Sequence, residues 1–388
     1  MKTFRSFPLS VRLLLVNQMG VNTGFYLLVP YLAGYLGGTL GLSAAVVGVV
    51  LGVRNLSQQG LFLIGGTASD RIGARTVIIV GCGLRAVGFG LFALDGSLPV
   101  LLGASVLSGL AGALFNPAVR AYLATEAGDR RAEAFSLFNV FANTGALLGP
   151  LLGSALLLLD FRVAATVAAL IFAGLTVAQA LTLPPRPVPP GAGPVLGDWR
   201  ECLAARGFVA FTLALSGMFA LQNQLYLILP MRAEQVTGSA ASVAALFLVS
   251  TVATLLLQVR VTRRLKDCVS RGDAIALGLA VMGAAFLVPL LPGLVPVLVA
   301  AFGLALGVMI AQPFVLELIP AFGREGVTGT LFGMFYLASG LVAAVGNVVI
   351  GWAGDTAGGL AWVLCAALGL GSALAVRRVR LPERTAGP

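Results

Sequence analysis

Histidine is absent from the 388-residue chain, and charged residues make up only 10% of it. Without imidazole there are no His-based metal sites and no Ser-His-Asp triads, and any side-chain proton relay must rest on carboxylates. So little charge cannot cover a soluble globule, for which about 25% is usual. Four cysteines, none in a CxxC pair, give no disulfide framework. No metal-ligand cluster and no phosphate-cradling P-loop is legible, so neither an enzyme nor direct ATP hydrolysis is expected, and no metal. What is present is apolar: 58% hydrophobic residues, 50 glycines and a mean hydropathy of +0.98. This excludes an ordinary soluble protein, a disordered chain and a secreted disulfide scaffold. It points to an all-α integral membrane protein. The apolar runs are too long and continuous for outer-membrane strands, which alternate over about 10 residues.

A spanning helix needs about 20 apolar residues. Twelve runs are long enough. Spans 1 to 6 fall near 8–36, 43–67, 76–95, 98–122, 132–158 and 161–183. Spans 7 to 12 fall near 207–235, 240–262, 272–292, 294–320, 326–352 and 357–378. The expected organisation is an N-terminal six-helix bundle over 1–183, a Pro- and Gly-rich linker over 184–206 and a C-terminal six-helix bundle over 207–388. The basic start, MKTFRSFPLSVR, lacks a short apolar core with a small-residue cleavage site, so a retained first helix is expected.

The two sets resemble each other. GFYLLVPYL at 24–32 aligns with QLYLILPMR at 224–232, pairing Tyr26 with Tyr226. FNPAV at 115–119 aligns with AQPFV at 311–315, pairing Asn116 with Gln312, and SLFN at 136–139 aligns with TLFG at 330–333. Three matches in one order at nearly constant offset indicate a duplicated six-helix half. With the N-terminus cytoplasmic, 21 of the 25 basic residues fall on that side, Arg162 and Arg232 fall outside, and Arg54 and Arg85 fall within spans. The positive-inside rule then puts both termini and the linker in the cytoplasm. The net charge of +10 becomes topology and contact with anionic lipid, with no nucleic-acid partner.

The stretch GGTASDRIGARTV at 65–77 resembles the G-x-x-x-D-R-x-G-x-K/R signature of the major facilitator superfamily, on Gly66, Asp70, Arg71, Gly73 and Arg75. The resemblance implies the major facilitator fold, with 12 helices in two pseudo-symmetric bundles. It also implies a conformational latch in which Asp70 faces the positive N-terminus of helix 11, near Gly326, in the outward-open state. A plain basic loop is the alternative. The matching loop at 263–273 keeps basic charge without the pattern. Span 5 contains GALLGPLLG, which resembles the antiporter motif of drug/proton antiporters, on Gly145, Gly149, Pro150 and Gly153. Glycines every four residues make a smooth packing stripe, and Pro150 bends the helix. The stretches GVRNLSQQGLFLIGGTASDRIGA, SGLAGALFNPAVRA, LLGSALLLLDFR and LPMRAEQVTGS further resemble MdtH-type multidrug transporters. Helix 4 departs from the broader antiporter pattern, with Ser105 where an arginine usually stands.

Charged groups inside a membrane are costly and mark sites by default. Arg54 lies near the middle of span 2 and needs a partner or a cavity; a structural role bonded to carbonyls is the alternative. Arg85 in span 3 is similar. Among 15 acids only Glu317 lies clearly inside a span, one to two turns from its end. It is the leading proton-coupling candidate, with an ion-paired gate as the alternative, and Asp70 and Glu234 follow. Substrate-cavity candidates are Asn22, Tyr26, Arg54, Gln58, Asn116, Asn143, Gln222, Asn223, Tyr226 and Gln312, although Asn and Gln within helices also simply tie helices together. Asn-Pro and Gln-Pro at the ends of helices 4 and 10 suggest bend points. The expected function is proton-coupled efflux of drug-like amphipathic compounds by alternating access, with no cofactor beyond the proton gradient. The expected setting is a monomer, multi-pass in the bacterial cytoplasmic (inner) membrane, with substrate, protons and membrane lipids as its partners. A symporter or uniporter of a small metabolite, or a lipid-handling protein, is the alternative.

Overall fold

The computed structural model describes residues 2–94, 96–186, 194–239, 241–324, 326–356 and 359–382, and no strand occurs among them. Among the described residues, nine helical segments are long and apolar enough to cross a membrane, or ten when one bent pair is taken as a span. One of the nine, Leu98–Leu157, holds two helices, Leu98–Ala127 and Arg131–Leu157. The helix of span 1, Leu9–Gly34, has the length, 26 residues, but is diluted by Asn17, Gln18 and Asn22. Each of the twelve expected runs thus carries a helix. Large apolar side chains such as Leu56, Leu151, Leu181, Leu256 and Val348 stay exposed, as a lipid-facing surface requires.

Four local features differ from expectation. Span 2 does not end in a loop at 65–77. It runs as Ala44–Gly60 and Phe62–Ile72, bent by 45° at Leu61, so Asp70 and Arg71 are helical. The turn is a single residue, Gly73, at φ +90°, a conformation open to glycine. Span 7 breaks into Arg206–Asn223 and Ile228–Thr237. Between them the chain tightens into consecutive i→i−3 bonds, from Leu225 N–H to Gln222 and Tyr226 N–H to Asn223. The linker contains a helix, Val195–Ala204; its residues 187–193 lie outside the described residues. The helix of span 4 continues to Ala127, ten residues past Pro117, so that proline is interior rather than at the helix end.

The contacts divide the chain into two compact units. One comprises Met1–Asp129, Leu137–Trp199 and Arg324–Leu337; the other comprises Arg130–Ser136, Arg200–Gly323 and Ala338–Pro388. The division differs from 1–183 and 207–388 chiefly because the first turns of spans 5 and 11 each group with the other unit. Within the first unit, Ala74–Phe92 packs on Leu98–Ala127 and on Phe161–Thr182, Ala44–Gly60 packs on Leu98–Ala127, and Leu9–Gly34 packs on Phe161–Thr182. Within the second, Arg271–Ala285 packs on Leu294–Leu318 and on Leu360–Arg378, Ala241–Cys268 packs on Leu294–Leu318, and Arg206–Asn223 packs on Leu360–Arg378. These are the same pairings six spans later, as a duplication demands.

Lipid offers no hydrophobic drive for helices to associate, so close backbone approach and buried hydrogen bonds do that work. Proline leaves the carbonyl four residues before it without its helical donor. In span 10 that carbonyl belongs to Met309, and the buried Gln258 of span 8 donates to it at 3.2 Å.

Candidate functional site

Asp70 sits in the last turn of Phe62–Ile72. Its Oδ1 accepts from the Gly329 N–H at 2.7 Å and its Oδ2 from the Thr330 N–H at 2.6 Å. The helix of span 11 begins at Thr328, so these are first-turn amides with no partner inside their own helix. A carboxylate there also meets the positive end of the helix dipole. Gly66 makes the approach possible: a Cβ would strike the Gly329 carbonyl oxygen. A Cβ on Gly333 would meet the Phe62 carbonyl oxygen at 2.6 Å. Span 2 and the start of span 11 therefore touch backbone to backbone.

The basic members of the motif reach elsewhere. Arg75 donates to the Leu183 and Ala180 carbonyls, both at 2.6 Å, and caps the C-terminal end of Phe161–Thr182. Arg71 pairs with Asp198 of the linker helix at 2.5 Å, and Arg324 pairs with the other oxygen of Asp198 at 2.6 Å. The Asp198 side chain is only 5% exposed. Next to it, the Trp199 indole donates to Thr67 Oγ1 at 2.8 Å. Asp198, Trp199 and Arg324 escaped the sequence reading. The available signal was a tryptophan between two charges, DWRE, in a linker otherwise rich in proline and glycine.

The second unit has a counterpart at the start of span 5. Glu133 accepts from Lys266 at 2.9 Å and from Arg130 at 2.7 Å. All three side chains are partly exposed, and both of these ion pairs join side chain to side chain.

The glycine stripe of span 5 lies along span 1. A Cβ on Gly145, Gly149 or Gly153 would strike the carbonyl oxygens of Met19, Thr23 or Leu27 respectively. Tyr31 adds a bond from its hydroxyl to the Pro150 carbonyl at 2.8 Å, and Asn22 donates to the Ala142 carbonyl at 2.9 Å. Asn22 thus ties spans 1 and 5 together.

The cavity candidates separate into groups. Tyr26 is half-buried beside Gly149 and neighbours Arg54. The Arg54 guanidinium stands 5.3 Å from the Phe25 ring centre, and Gln58 lies against the backbone of Gly112. Asn116 and Asn143 turn back on their own helices, donating to the Gly112 and Asn139 carbonyls at 2.9 and 2.8 Å. Arg120 stacks on Tyr336 at 4.7 Å. In the second unit Gln222, Asn223 and Gln312 are half-buried, while Tyr226 is 65% exposed against Phe247. The buried amide at the break in span 7 is Gln224, which donates to the Ala220 carbonyl at 2.8 Å and to Asn347 at 3.0 Å. An apolar groove of about 440 Å³, lined by Ala220, Val345, Val349 and Leu368 among others, contains no charged group to orient a substrate.

The proton-coupling candidates also differ. Glu317 is the penultimate residue of the α-helix Leu294–Leu318, which continues as a 3-10 turn to Phe322, so it lies one to two turns from the end of the span, and it pairs with Arg271 at 3.0 Å. Its side chain is 12% exposed and, among the described residues, its Oε2 has no hydrogen-bond partner. Glu234 is exposed on Ile228–Thr237. Glu126 is held by Arg186 at 2.6 Å and by Ser10.

A family model described as Major Facilitator Superfamily matches residues 14–347. An uncharacterized MFS-type transporter of Mycobacterium tuberculosis is 41% identical over 362 residues, spanning 90% of this chain and 86% of that protein. The multidrug resistance protein MdtH of Klebsiella pneumoniae is 32% identical over 391 residues, spanning 96% of this chain and 94% of that one. Among solved structures, the E. coli fucose:proton symporter FucP superposes with a TM-score of 0.81 at 14% identity, over 97% of this chain and 100% of that one. The human organic anion transporter MFSD10 superposes with a TM-score of 0.76 at 18% identity, over 95% and 98%. At those identities the solved structures speak for the fold alone. These relatives and structural neighbours are transporters, not enzymes.

Proposed function

The chain belongs to the Major Facilitator Superfamily and is a multi-pass membrane transporter, and from that premise we propose that it exports drug-like amphipathic compounds in exchange for protons, by alternating access of its two six-helix halves. The observation that carries export is the stripe of Gly145, Gly149 and Gly153, packed so closely on span 1 that a Cβ on any of them would strike a span 1 carbonyl oxygen. Such a seam resembles the antiporter motif and keeps span 5 sealed against span 1 while other helices move. Similarity to MdtH-type multidrug proteins supports the substrate class.

For coupling, the Glu317–Arg271 pair is the proposed proton acceptor. A proton on Glu317 cancels its charge and releases Arg271, and the two ends of spans 9 and 10 separate. The Asp70 latch breaks and re-forms once per cycle. In proteoliposomes an imposed pH gradient is expected to drive accumulation of a fluoroquinolone, and Glu317→Gln is expected to lower the coupled flux about tenfold, the scale of one lost charge-assisted interaction. Equal fluoroquinolone transport without a gradient rules out antiport. Unchanged proton flux in Glu317→Gln removes that residue from the mechanism.

A further inference from the structure

Two arginines lie deep in the first unit with no acid paired to them among the described residues. Arg54 is 9% exposed and Arg85 is 4% exposed. Both guanidinium groups stand over one ring, Phe25, at 5.3 and 5.9 Å from its centre. Arg85 is further enclosed by Phe115 at 5.4 Å and Phe172 at 5.7 Å. Among the described residues neither arginine forms an ion pair. Arg54 gives one bond, from Nη2 to Asn55 at 2.5 Å, and its Nε and Nη1 find no protein acceptor; neither does Arg85 Nε. Three acids of the unit are engaged elsewhere: Asp70 on backbone amides, Glu126 with Arg186, and Asp198 with Arg71 and Arg324.

Taking a cation out of water costs far more than a cation–π contact returns, and a second like charge over the same ring adds to the cost. The aromatic cage therefore explains where the arginines sit without neutralising them. Nε–H and Nη1–H leave different edges of the planar guanidinium fork, so a carboxylate would take one of them together with the second N–H of Nη2, whose first is held by Asn55. Phe25 and Tyr26 supply an aromatic wall next to that fork.

We propose that Arg54 is the contact for the carboxylate of an aromatic or amphipathic organic anion, bound within the first six-helix half. Arg85 is a positioning residue, which holds Phe25 and adds positive potential behind it. The inference narrows the substrate class of the transporter proposed above and rests on that reading for transport, but its test is a binding measurement that needs no gradient.

The probes are 2-naphthoate and its uncharged counterpart 2-naphthamide, titrated at pH 7 against the full-length protein in detergent, with no membrane potential or pH difference. The wild type is expected to bind the acid at least about tenfold more tightly than the amide, as one charge-assisted pair allows. Arg54→Gln is expected to bring that ratio close to one, Arg54→Lys to keep part of it, and Arg85→Met to reduce it without removing it. A purely structural arginine would lower the melting temperature and leave the acid-to-amide ratio alone. Equal binding of acid and amide by the wild type, binding of neither, or an unchanged ratio in Arg54→Gln overturns the proposal. Absence of proton-driven fluoroquinolone export together with a preserved acid preference would instead refute only the antiport reading.

Discussion

At Asp70 span 2 meets span 11 through backbone; at Glu133 span 8 meets span 5 through side chains. The two places correspond under the internal repeat, and their chemistry differs. In the first, Gly66 and Gly333 bring main chains together and a carboxylate accepts from two first-turn amides. In the second, Glu133 collects Lys266 and Arg130 on long, partly exposed stems. A carboxylate on fixed amides loses little side-chain entropy, whereas an exposed ion pair must order two flexible chains for a weak, screened attraction. The duplicated architecture therefore holds one tight contact and one loose one, and the asymmetry lies in residues rather than in helix arrangement. The linker reinforces the tight contact, since Asp198 bridges Arg71 and Arg324 and Trp199 bonds Thr67.

The largest effect is expected from Gly66→Val. The new side chain meets the Gly329 backbone, which cannot swing aside as a side-chain tip can. Overpacking of this kind costs about 3 kcal/mol at its upper end. Thermal unfolding in detergent measures it, and an unchanged midpoint means that the main chains are not in contact.

Asp70→Asn comes next. It removes the charge and leaves one acceptor oxygen for two amides, a loss of about 1–3 kcal/mol. Hydrogen exchange at the amides of Gly329 and Thr330 is expected to quicken about ten- to a hundredfold. Asp198→Asn acts on those amides at one remove, through Arg71 beside Asp70 and through Arg324, and is expected to speed them less. Equal effects of the two substitutions would shift the weight of the contact from backbone capping to the linker helix.

Much of this was legible in the sequence, for physical reasons. A bilayer forces about 20 apolar residues per span, so the runs announced themselves. Gly66, Asp70 and Gly73 form a pattern only a tight turn and close helices would need. Side-chain direction was not legible. One residue turns a helical side chain by about 100°, so the local pattern does not tell Gln222 and Asn223 from Gln224, which is the buried amide. The break at 224–227 was hidden because GFYLLVPYL and QLYLILPMR read alike, proline included, yet the first stays helical and the second does not. The linker helix, only ten residues long, fell below the length that periodicity reveals. The cage around Arg85 draws Phe25, Phe115 and Phe172 from three helices far apart in sequence, which no local pattern reports.

The smallest effect, and the sharpest probe of the asymmetry, is expected from Lys266→Met. Its partner Glu133 keeps Arg130, so no buried charge is stranded. A partly exposed pair with a second cation still in place is worth about 0.5 kcal/mol, and at 1 M salt the screening length falls to about 3 Å. The small loss in unfolding midpoint at low salt should therefore vanish at high salt. Asp70→Asn should cost nearly the same at both, because its partners are neutral amides packed against it. A Lys266→Met penalty as large as that of Asp70→Asn, and equally indifferent to salt, would make the two contacts energetic equals despite their different chemistry. The tight contact would then have to derive its strength from something other than backbone capping, with the Asp198 bridge the first place to look.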